Sequence, residues 1–206
     1  MQSTKEHWEK VYLKKQPGEV SWTQEVPKTS LEFIHSFDLP KIARIIDIGG
    51  GDSKLVDHLL DESFTDITVL DISANAIEKA KKRLGRKSEK VNWVISDITE
   101  FKPHNNFDLW HDRATFHFLS SQKQVSTYID IARRSVTGYV IIGTFSDSGP
   151  TKCSGLDIKR YSEESLEFEL RNGFEKIRCV TEDHITPFST VQNFLFCGFK
   201  KTNETS

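Results

Sequence analysis

Three consecutive glycines, Gly49–Gly51, directly follow a short apolar run, and no other feature of the chain constrains its fold as strongly. The run Ala43–Ile48 predicts a β-strand, and the apolar spacing within Asp52–Leu60 predicts a helix immediately after the glycines. Glycines at such a turn let a ligand approach the backbone closely, because no Cβ atom intervenes. The sequence therefore predicts an α/β fold with a ligand site at this turn.

The rest of the chain alternates apolar runs with amphipathic stretches, which predicts a doubly wound, mostly parallel sheet with helices on both faces. Further strands are predicted over Ile67–Leu70, Val91–Ile95, Phe107–Trp110 and Tyr139–Ile142, and helices over Ala74–Leu84, Ser121–Ser135 and Glu163–Leu170. The last two predicted strands, Phe174–Val180 and Asn193–Phe199, are joined by a loop too short for a crossover helix. We therefore expect these two strands to pair antiparallel.

The chain length bounds the domain organisation, because 206 residues are enough for one α/β domain and too few for a second of normal size. We expect a single domain over 1–206, with an N-terminal lid segment over 1–40, a core over 41–200 and a polar tail over 201–206. The formal net charge of -2 disfavours non-specific binding to nucleic acid. No apolar run approaches the ~18 residues of a membrane span, and the polar N-terminus lacks a signal-peptide pattern.

Cysteine usage indicates the cellular compartment. The three cysteines are Cys153, Cys179 and Cys197, and none of them forms a Cys-x-x-Cys pair. Their odd number and wide spacing predict neither a disulfide framework nor a structural zinc site. Reduced cysteines are typical of cytoplasmic proteins, so we expect a cytoplasmic location.

The residues around the glycine turn indicate which ligand it binds. A dinucleotide-binding Gly-x-Gly-x-x-Gly pattern would require glycine at position 54, which is Lys54, and this disfavours a nicotinamide-dependent oxidoreductase. Asp47, beside the turn, would repel a pyrophosphate but could attract an ammonium group, directly or through water. The N–H groups at the start of the following helix suit a carboxylate. A ligand with an amino-acid part fits both features.

Two further acids follow the next predicted strands. Asp71 ends the second strand, about twenty residues after the turn, where a carboxylate can accept hydrogen bonds from both ribose hydroxyls. Asp97 follows the third strand and could accept a hydrogen bond from an adenine amino group while Ile98 packs on the ring. Each acid alone is equally explained as a helix cap or a turn residue. With Asp47, however, acids stand at three consecutive strand ends beside the glycine turn, which favours a nucleoside ligand.

The motif series of this chain resembles that of class I S-adenosylmethionine-dependent methyltransferases. The matching segments are Asp47–Gly51, Val69–Ser73, Ser96–Ile98 and Phe107–Trp110. The resemblance implies a seven-stranded Rossmann-like methyltransferase fold with strand order 3-2-1-4-5-7-6, strand 7 antiparallel, and S-adenosyl-L-methionine as cofactor. With the loop residues included, the expected donor contacts are Asp47, Gly49, Gly50, Gly51, Asp71, Ile72, Asp97 and Ile98.

The N-terminal segment contributes three aromatic residues, Trp8, Tyr12 and Trp22. Trp8 and Tyr12 are four residues apart and share one face of a predicted helix, so core packing would explain them. Their spacing is also similar to that of a methyltransferase subgroup that includes eukaryotic lysine methyltransferases acting on a translation elongation factor. That resemblance implies that these aromatics close the donor pocket and contact the donor sulfonium through a cation–π interaction.

The same subgroup carries a Glu-Lys-Gly-Thr-Leu-Asp-x-Leu segment after strand four, which Asp112–Leu119 resembles. The resemblance implies donor contacts at Asp112 and Arg113, with anchoring of an acceptor carboxylate as the alternative role of Arg113. His117 replaces an acid of the lysine enzymes, and its spacing of four from Arg113 predicts that both lie on one helix face. We predict that Arg113 and His117 act in catalysis, with His117 or His111 positioning or deprotonating the acceptor.

These features together predict an S-adenosylmethionine-dependent methyltransferase that acts by in-line displacement on a small O- or S-nucleophile, because a histidine holds a lysine ammonium poorly. Protein lysine methylation is the alternative, and a nicotinamide-dependent oxidoreductase or a non-catalytic donor-binding module is less favoured. The expected partner is a small-molecule or protein side-chain acceptor, without nucleic acid or membrane. Asp112 and Asp147 resemble the acids of metal-dependent catechol-type enzymes, but no third ligand is evident, so no metal is expected. The oligomeric state is left open.

Overall fold

The computed structural model describes residues 4–202, so residues 203–206 of the predicted polar tail lie outside the described range. The α-helices of the described range are α1 (Thr4–Lys14), α2 (Lys28–Ser36), α3 (Leu55–Asp61), α4 (Ala74–Leu84), α5 (Gln122–Ser135) and α6 (Glu163–Leu170). None of these helices has the length and apolarity that crossing a bilayer requires.

The strands form one large sheet and one small hairpin. They are β1 (Arg44–Ile48), β2 (Asp66–Asp71), β3 (Val91–Ile95), β4 (Phe107–Arg113), β5 (Val136–Phe145), β6 (Lys152–Cys153), β7 (Leu156–Asp157), β8 (Phe174–Ile185) and β9 (Val191–Lys201). The large sheet has the order β3-β2-β1-β4-β5-β9-β8, and β6 and β7 pair separately. Strands β1 to β5 pair in parallel, whereas β9 is antiparallel to both β5 and β8. Counted along the large sheet alone, this is the predicted order 3-2-1-4-5-7-6, so the predicted fold is confirmed.

The central strand β1 is buried on both faces, as a parallel strand between two helical layers must be. Ile46 and Ile48 pack into one apolar cluster with Trp110, whereas Ile45 packs into a second cluster with Leu55. The two clusters therefore fix β1 from both sides, and with it the glycine turn that follows.

Local residues set the helix boundaries around the site. Helix α4 begins and ends as predicted, because the Ser73 hydroxyl accepts a hydrogen bond from Ala76 N at 3.2 Å and Gly85 follows the last turn. Helix α3 begins at Leu55, later than predicted, because Ser53 N donates to Gly50 O and closes a turn first. The glycine turn is consequently longer than the sequence pattern indicated.

The structure pairs Cys179 with Cys197 in a disulfide, so the prediction that the cysteines form none is wrong. The two residues are register partners on β8 and β9, with Cα atoms 4.1 Å apart. The pairing could not be predicted from the spacing of the cysteines, because the register of a hairpin depends on its turn. In this hairpin the register also shifts at an irregularity in β8 between Lys176 and Arg178. Cys153 is the free cysteine, and it is buried.

Candidate functional site

Two cavities lie where the carboxyl ends of the central strands meet the N-terminal helices. The first, of about 130 Å³, has Asp71 and Asp97 among its lining residues. The second, of about 220 Å³, has Asp47 and His111 in its wall. Residues that line both cavities are Tyr12, Trp22, Gly49 and Arg113. Because the cavities adjoin, one elongated ligand can extend through both of them.

The glycine turn lies between the two cavities, and Thr115 packs against it. Gly49 has a φ angle of +65°, in the left-handed region that glycine adopts without strain. A Cβ atom at this position would collide with the hydroxyl of Thr115, which donates a hydrogen bond to Ile48 O at 3.3 Å. Gly50 lines the second cavity, whereas Gly51 lines neither and instead lies against the Asp71 carboxylate.

Asp71 ends β2 and is almost completely buried at the edge of the first cavity. One carboxylate oxygen, Oδ1, accepts a hydrogen bond from Ser73 N at 2.8 Å. Burial raises the pKa of Asp71 to about 7, and the nearby charges of Asp47 and Glu9 act in the same direction. Asp71 is therefore a carboxylate that gains from new hydrogen-bond donors, such as ribose hydroxyls.

Asp97 and Ile98 line the first cavity close to Ile72, as the sequence predicted for one binding surface. Asp97 Oδ1 accepts hydrogen bonds from Thr99 N at 2.8 Å and from Thr99 Oγ1 at 2.7 Å. Asp97 thus caps the 3₁₀ turn Ile98–Glu100, and this cap holds Ile98 at the cavity wall. Asp97 is therefore both the cap of this turn and a residue of the cavity wall.

The aromatic residues of the N-terminal segment form one wall of the first cavity. The Trp8 ring lies 5.7 Å from that of Trp22 and 5.1 Å from that of Phe118, measured between centroids. Tyr12 lies 6.1 Å from Trp22 and is buried. The three predicted aromatics therefore meet at the cavity, with Phe118 as a fourth member that the sequence pattern did not single out.

Asp47 and His111 are register partners on β1 and β4, and both are buried beside the second cavity. His111 Nδ1 lies 2.7 Å from Asp47 Oδ1, and His111 Nε2 lies 2.9 Å from Ser30 Oγ. The second oxygen of Asp47, Oδ2, is buried without a hydrogen-bond partner among the described residues. Both ring nitrogens of His111 thus have partners within the chain, although His111 lines the second cavity, and its predicted role at an acceptor stays a prediction.

Arg113 ends β4 and projects into the wall of both cavities. Its Nη1 donates to Trp22 O at 2.9 Å, and its guanidinium lies 4.8 Å from the centroid of the Phe194 ring. Within residues 4–202, Nε and Nη2 are buried and have no hydrogen-bond partner. Burial lowers the pKa of Arg113 to about 10, so the group still carries its charge at neutral pH.

The other cations at the second cavity are neutralised within the chain. Lys54 forms an ion pair with Glu25. Arg83 pairs with Asp57 at 2.8 Å and also with Asp52. Among the described cavity residues, Arg113 is therefore the cation with unsatisfied donors.

Asp112 does not reach either cavity, so its predicted contact with the donor is not supported by its position. Its Oδ1 accepts hydrogen bonds from Thr115 N at 3.0 Å and Phe116 N at 3.2 Å, and its Oδ2 accepts one from Tyr128 Oη at 2.8 Å. The reason is that β4 continues through Arg113, and alternation along a strand turns Asp112 and Arg113 to opposite faces.

His117 lies in the core rather than at the acceptor side of a cavity. It belongs to the 3₁₀ turn Phe116–Phe118, so the predicted helix face shared with Arg113 does not exist. Its ring stacks on Phe145 with centroids 4.5 Å apart and an interplanar angle of 5°. Burial, together with the charge of Arg113, lowers the pKa of His117 to about 3. The imidazole is therefore neutral at ordinary pH.

Three residues at or near the cavities could not be identified from the sequence pattern. Glu9 on α1 caps the first turn of α4, Ser30 joins His111, and Cys153 lines the first cavity. Each depends on contacts between distant parts of the chain, which spacing along the sequence does not encode. No group of three His, Cys, Asp or Glu side chains that could hold a metal ion occurs among residues 4–202.

Comparison with known proteins places this geometry in a family. Residues 46–137 match a family model described as a methyltransferase domain. The chain is 35% identical over 106 residues to a malonyl-[acyl-carrier protein] O-methyltransferase of Anoxybacillus flavithermus, a match that covers 50% of this chain and 39% of that protein. It is 25% identical over 129 residues to the eEF1A lysine and N-terminal methyltransferase of Mus musculus, covering 62% of this chain and 18% of that protein. The chain thus spans less than half the length of these curated relatives.

The fold is also similar to that of a solved structure, the N-methyltransferase NodS from Bradyrhizobium japonicum in complex with S-adenosyl-L-homocysteine. The TM-score is 0.69 at 19% identity, and the match covers 93% of this chain and 91% of that one. The motif series, the strand order and the match to the methyltransferase-domain model over residues 46–137 support a class I S-adenosylmethionine-dependent methyltransferase domain in this chain. S-adenosylmethionine is accordingly its cofactor.

Proposed function

We propose that this protein transfers the methyl group of S-adenosylmethionine to a small, anionic O- or S-nucleophile whose negative group binds the guanidinium of Arg113. The observation that carries the proposal is that Arg113 lines both cavities and that its buried Nε and Nη2 have no hydrogen-bond partner among the described residues. A buried cation with unsatisfied N–H groups is costly unless an anion joins it. A carboxylate suits these donors best, because it can accept two parallel hydrogen bonds from one guanidinium.

We place the donor across the remainder of the two cavities in one orientation. In this proposal its adenine packs against Ile98 with the amino group at Asp97, and its ribose hydroxyls donate to Asp71. The methionine part then extends past Gly49 into the second cavity. This orientation leaves the sulfonium beside the aromatic wall, where ring faces attract a cation.

In the proposed methyl transfer, the main task of the protein is to position the acceptor relative to the methyl group. The acceptor oxygen or sulfur forms a bond with the methyl carbon, and the electron pair of the broken C–S bond leaves with S-adenosylhomocysteine. A carboxylate, phenolate or thiolate has lost its proton before it reacts, so no base is required. Holding the acceptor in line can supply most of the rate enhancement. A buried, neutral His117 is compatible with such a reaction, because no proton has to be removed.

The relatives support two acceptor classes to different degrees. The name of the Anoxybacillus relative specifies O-methylation, which supports an oxygen nucleophile. The mouse relative supports protein lysine as the alternative acceptor, at lower identity. A lysine ammonium would be repelled by Arg113, and the acids that line the first cavity, Asp71 and Asp97, stand where the nucleoside is proposed to bind. The electrostatics of the cavity therefore favour the anion.

The test is a methylation assay in lysate with donor labelled in the methyl group, followed by separation of small molecules from protein. We expect the label in a small molecule as a methyl ester, ether or thioether. Label in one protein band as methyl-lysine, without labelled small molecules, would contradict the proposal and establish the lysine alternative.

Substitution of Arg113 separates the acceptor role from a donor role. Arg113→Met should lower kcat/KM for the acceptor about a hundredfold, which is the value of a charge-assisted hydrogen-bond pair, and leave S-adenosylhomocysteine affinity within about twofold. Arg178→Met is the matched control, because its guanidinium also lies over a ring, Phe33 at 4.0 Å, but outside both cavities. An equal loss of S-adenosylhomocysteine affinity in Arg113→Met would show that Arg113 holds the donor carboxylate instead.

A further inference from the structure

Asp47, His111 and Ser30 form a buried hydrogen-bonded chain that joins the sheet to helix α2. The first link joins Asp47 Oδ1 to His111 Nδ1 at 2.7 Å, and the second joins His111 Nε2 to Ser30 Oγ at 2.9 Å. All three residues are at most 2% exposed. They come from three elements, β1, β4 and α2, so the chain of hydrogen bonds is made by the tertiary fold.

The two oxygens of Asp47 are in different situations. Oδ1 is held by His111, whereas Oδ2 is buried behind Gly50 without a partner in the described part of the chain. A buried carboxylate oxygen without a donor is costly, so the arrangement is stable chiefly when a ligand supplies an N–H group. The second cavity, which Asp47, Gly50 and His111 all line, is the place from which such a group can approach.

We propose that His111 and Ser30 are positioning residues, which hold Asp47 so that Oδ2 accepts a hydrogen bond from the ammonium group of S-adenosylmethionine. A neutral imidazole satisfies both links, because Nδ1 donates to Asp47 while Nε2 accepts the proton of the Ser30 hydroxyl. Asp47 then keeps its negative charge for the ligand. The inference rests on S-adenosylmethionine as donor, and it is independent of the nature of the acceptor.

The role of helix α2 follows from the same geometry. Ser30 is fixed by the packing of its neighbours Leu31, Phe33 and Ile34, which are buried against the sheet. The hydroxyl of Ser30 therefore defines the orientation of the imidazole ring, and the ring defines that of the carboxylate. A rotation of the ring would move Nδ1 away from Asp47 and release the carboxylate from its orientation toward the cavity.

The test compares two ligands that share the adenosine part and differ in the amino-acid part, which carries the ammonium group. S-adenosylhomocysteine carries the amino-acid part, and 5′-methylthioadenosine lacks it but keeps the adenosine. In titration calorimetry, Ser30→Ala and His111→Asn should each weaken S-adenosylhomocysteine binding about tenfold, the equivalent of one hydrogen bond. His111→Asn keeps a donor near Asp47 but cannot reach Ser30. Binding of 5′-methylthioadenosine should stay within about twofold in both variants.

Matched controls lie on the same helix. Ser36→Ala removes a hydroxyl that donates to Phe33 O at 2.7 Å, and His35→Asn removes an exposed imidazole that pairs with Glu62 at 2.9 Å. Neither control should change the affinity for either ligand. Equal weakening of both ligands by Ser30→Ala would indicate general loosening and overturn the proposal, as would unchanged S-adenosylhomocysteine affinity. Failure of the unsubstituted protein to bind either ligand would overturn the donor assignment and the positioning role together.

Discussion

The carboxylate of Glu9 on α1 accepts hydrogen bonds from the backbone N–H groups of Ala74 at 2.8 Å and Asn75 at 3.0 Å, so one helix caps another. The hydroxyl of Ser73 donates to the same carboxylate at 2.8 Å. Partial burial alone would raise the pKa of Glu9, but these hydrogen bonds outweigh it and hold the pKa below its ordinary value. Helix α1, which carries Trp8 and Tyr12 of the aromatic wall, is thereby fastened to the helix that follows Asp71.

We expect Glu9→Gln to loosen this fastening and weaken donor binding. The loss of charge-assisted hydrogen bonds at a helix N-terminus costs about 1–2 kcal/mol, so the S-adenosylhomocysteine dissociation constant should rise about fivefold to thirtyfold. Titration calorimetry measures the change, and Glu32→Gln on the exposed face of α2 is the control. Unchanged affinity in Glu9→Gln would mean that α1 keeps its position without this contact.

The raised pKa of Asp71 predicts that donor binding depends on pH. In the ligand-free protein the pKa is about 7, because burial disfavours the carboxylate. Ribose hydroxyls donate to the charged form, so binding lowers this pKa and releases a proton. Affinity should therefore fall as pH decreases below about 7, approaching about tenfold per pH unit, and level off above about 8. The suitable ligand is 5′-methylthioadenosine, which has the ribose but no amino-acid group to titrate.

Asp71→Asn is the control for this pH dependence. An asparagine cannot titrate, so its affinity for the same ligand should be weaker and nearly constant between pH 6 and pH 8. A pH dependence that persists in the variant would assign the effect to another group.

The main features of the fold were predictable because they are encoded locally. The apolar run before Gly49–Gly51 is long enough to show a buried strand, and Ser73 with Gly85 marks both ends of one helix. The last two strands were recognisable as an antiparallel pair because the loop between β8 and β9 is too short for a crossover. In each case a few neighbouring residues determine the outcome.

Parts of the cavity lining were predictable at strand ends and in the N-terminal segment. The two acids Asp71 and Asp97 line the first cavity, as expected. The sequence pattern predicted that the fourth strand ends at Trp110, whereas β4 continues to Arg113. The spacing from Arg113 to His117 was therefore interpreted as helical, while the expected donor contact of Asp112 came from the family resemblance. Strand alternation sends Asp112 toward Tyr128 instead, and a contact of this kind depends on the tertiary packing of α5.

The disulfide between Cys179 and Cys197 predicts a stability that depends on reductant. It closes a loop with a sequence separation of 18 residues, and constraining the unfolded chain over such a loop contributes about 3 kcal/mol. The thermal midpoint should therefore decrease when a reductant is added. In Cys179→Ser the midpoint should be lower from the start and insensitive to reductant. Alkylation of all three cysteines in the unreduced, unfolded protein, detected by mass spectrometry, would show that the bond is absent.

The buried position of His117 predicts that its imidazole is not needed for methyl transfer. Its ring stacks on Phe145, and neither ring nitrogen has a hydrogen-bond partner among residues 4–202. His117→Phe keeps a planar ring at the same place and removes two unsatisfied polar atoms, so the folded protein should be at least as stable. We expect kcat and the S-adenosylhomocysteine dissociation constant to change by no more than about twofold.

His117→Asp, unlike His117→Phe, should destabilise the folded protein. A carboxylate at this buried position would lack a hydrogen-bonded partner, and its desolvation costs several kcal/mol, so we expect loss of folded protein rather than loss of catalysis alone. Thermal unfolding monitored by circular dichroism separates the two effects, with activity measured on the acceptor identified from the labelled lysate. A fully folded His117→Phe protein whose kcat falls about a hundredfold or more would show that the imidazole takes part in the reaction.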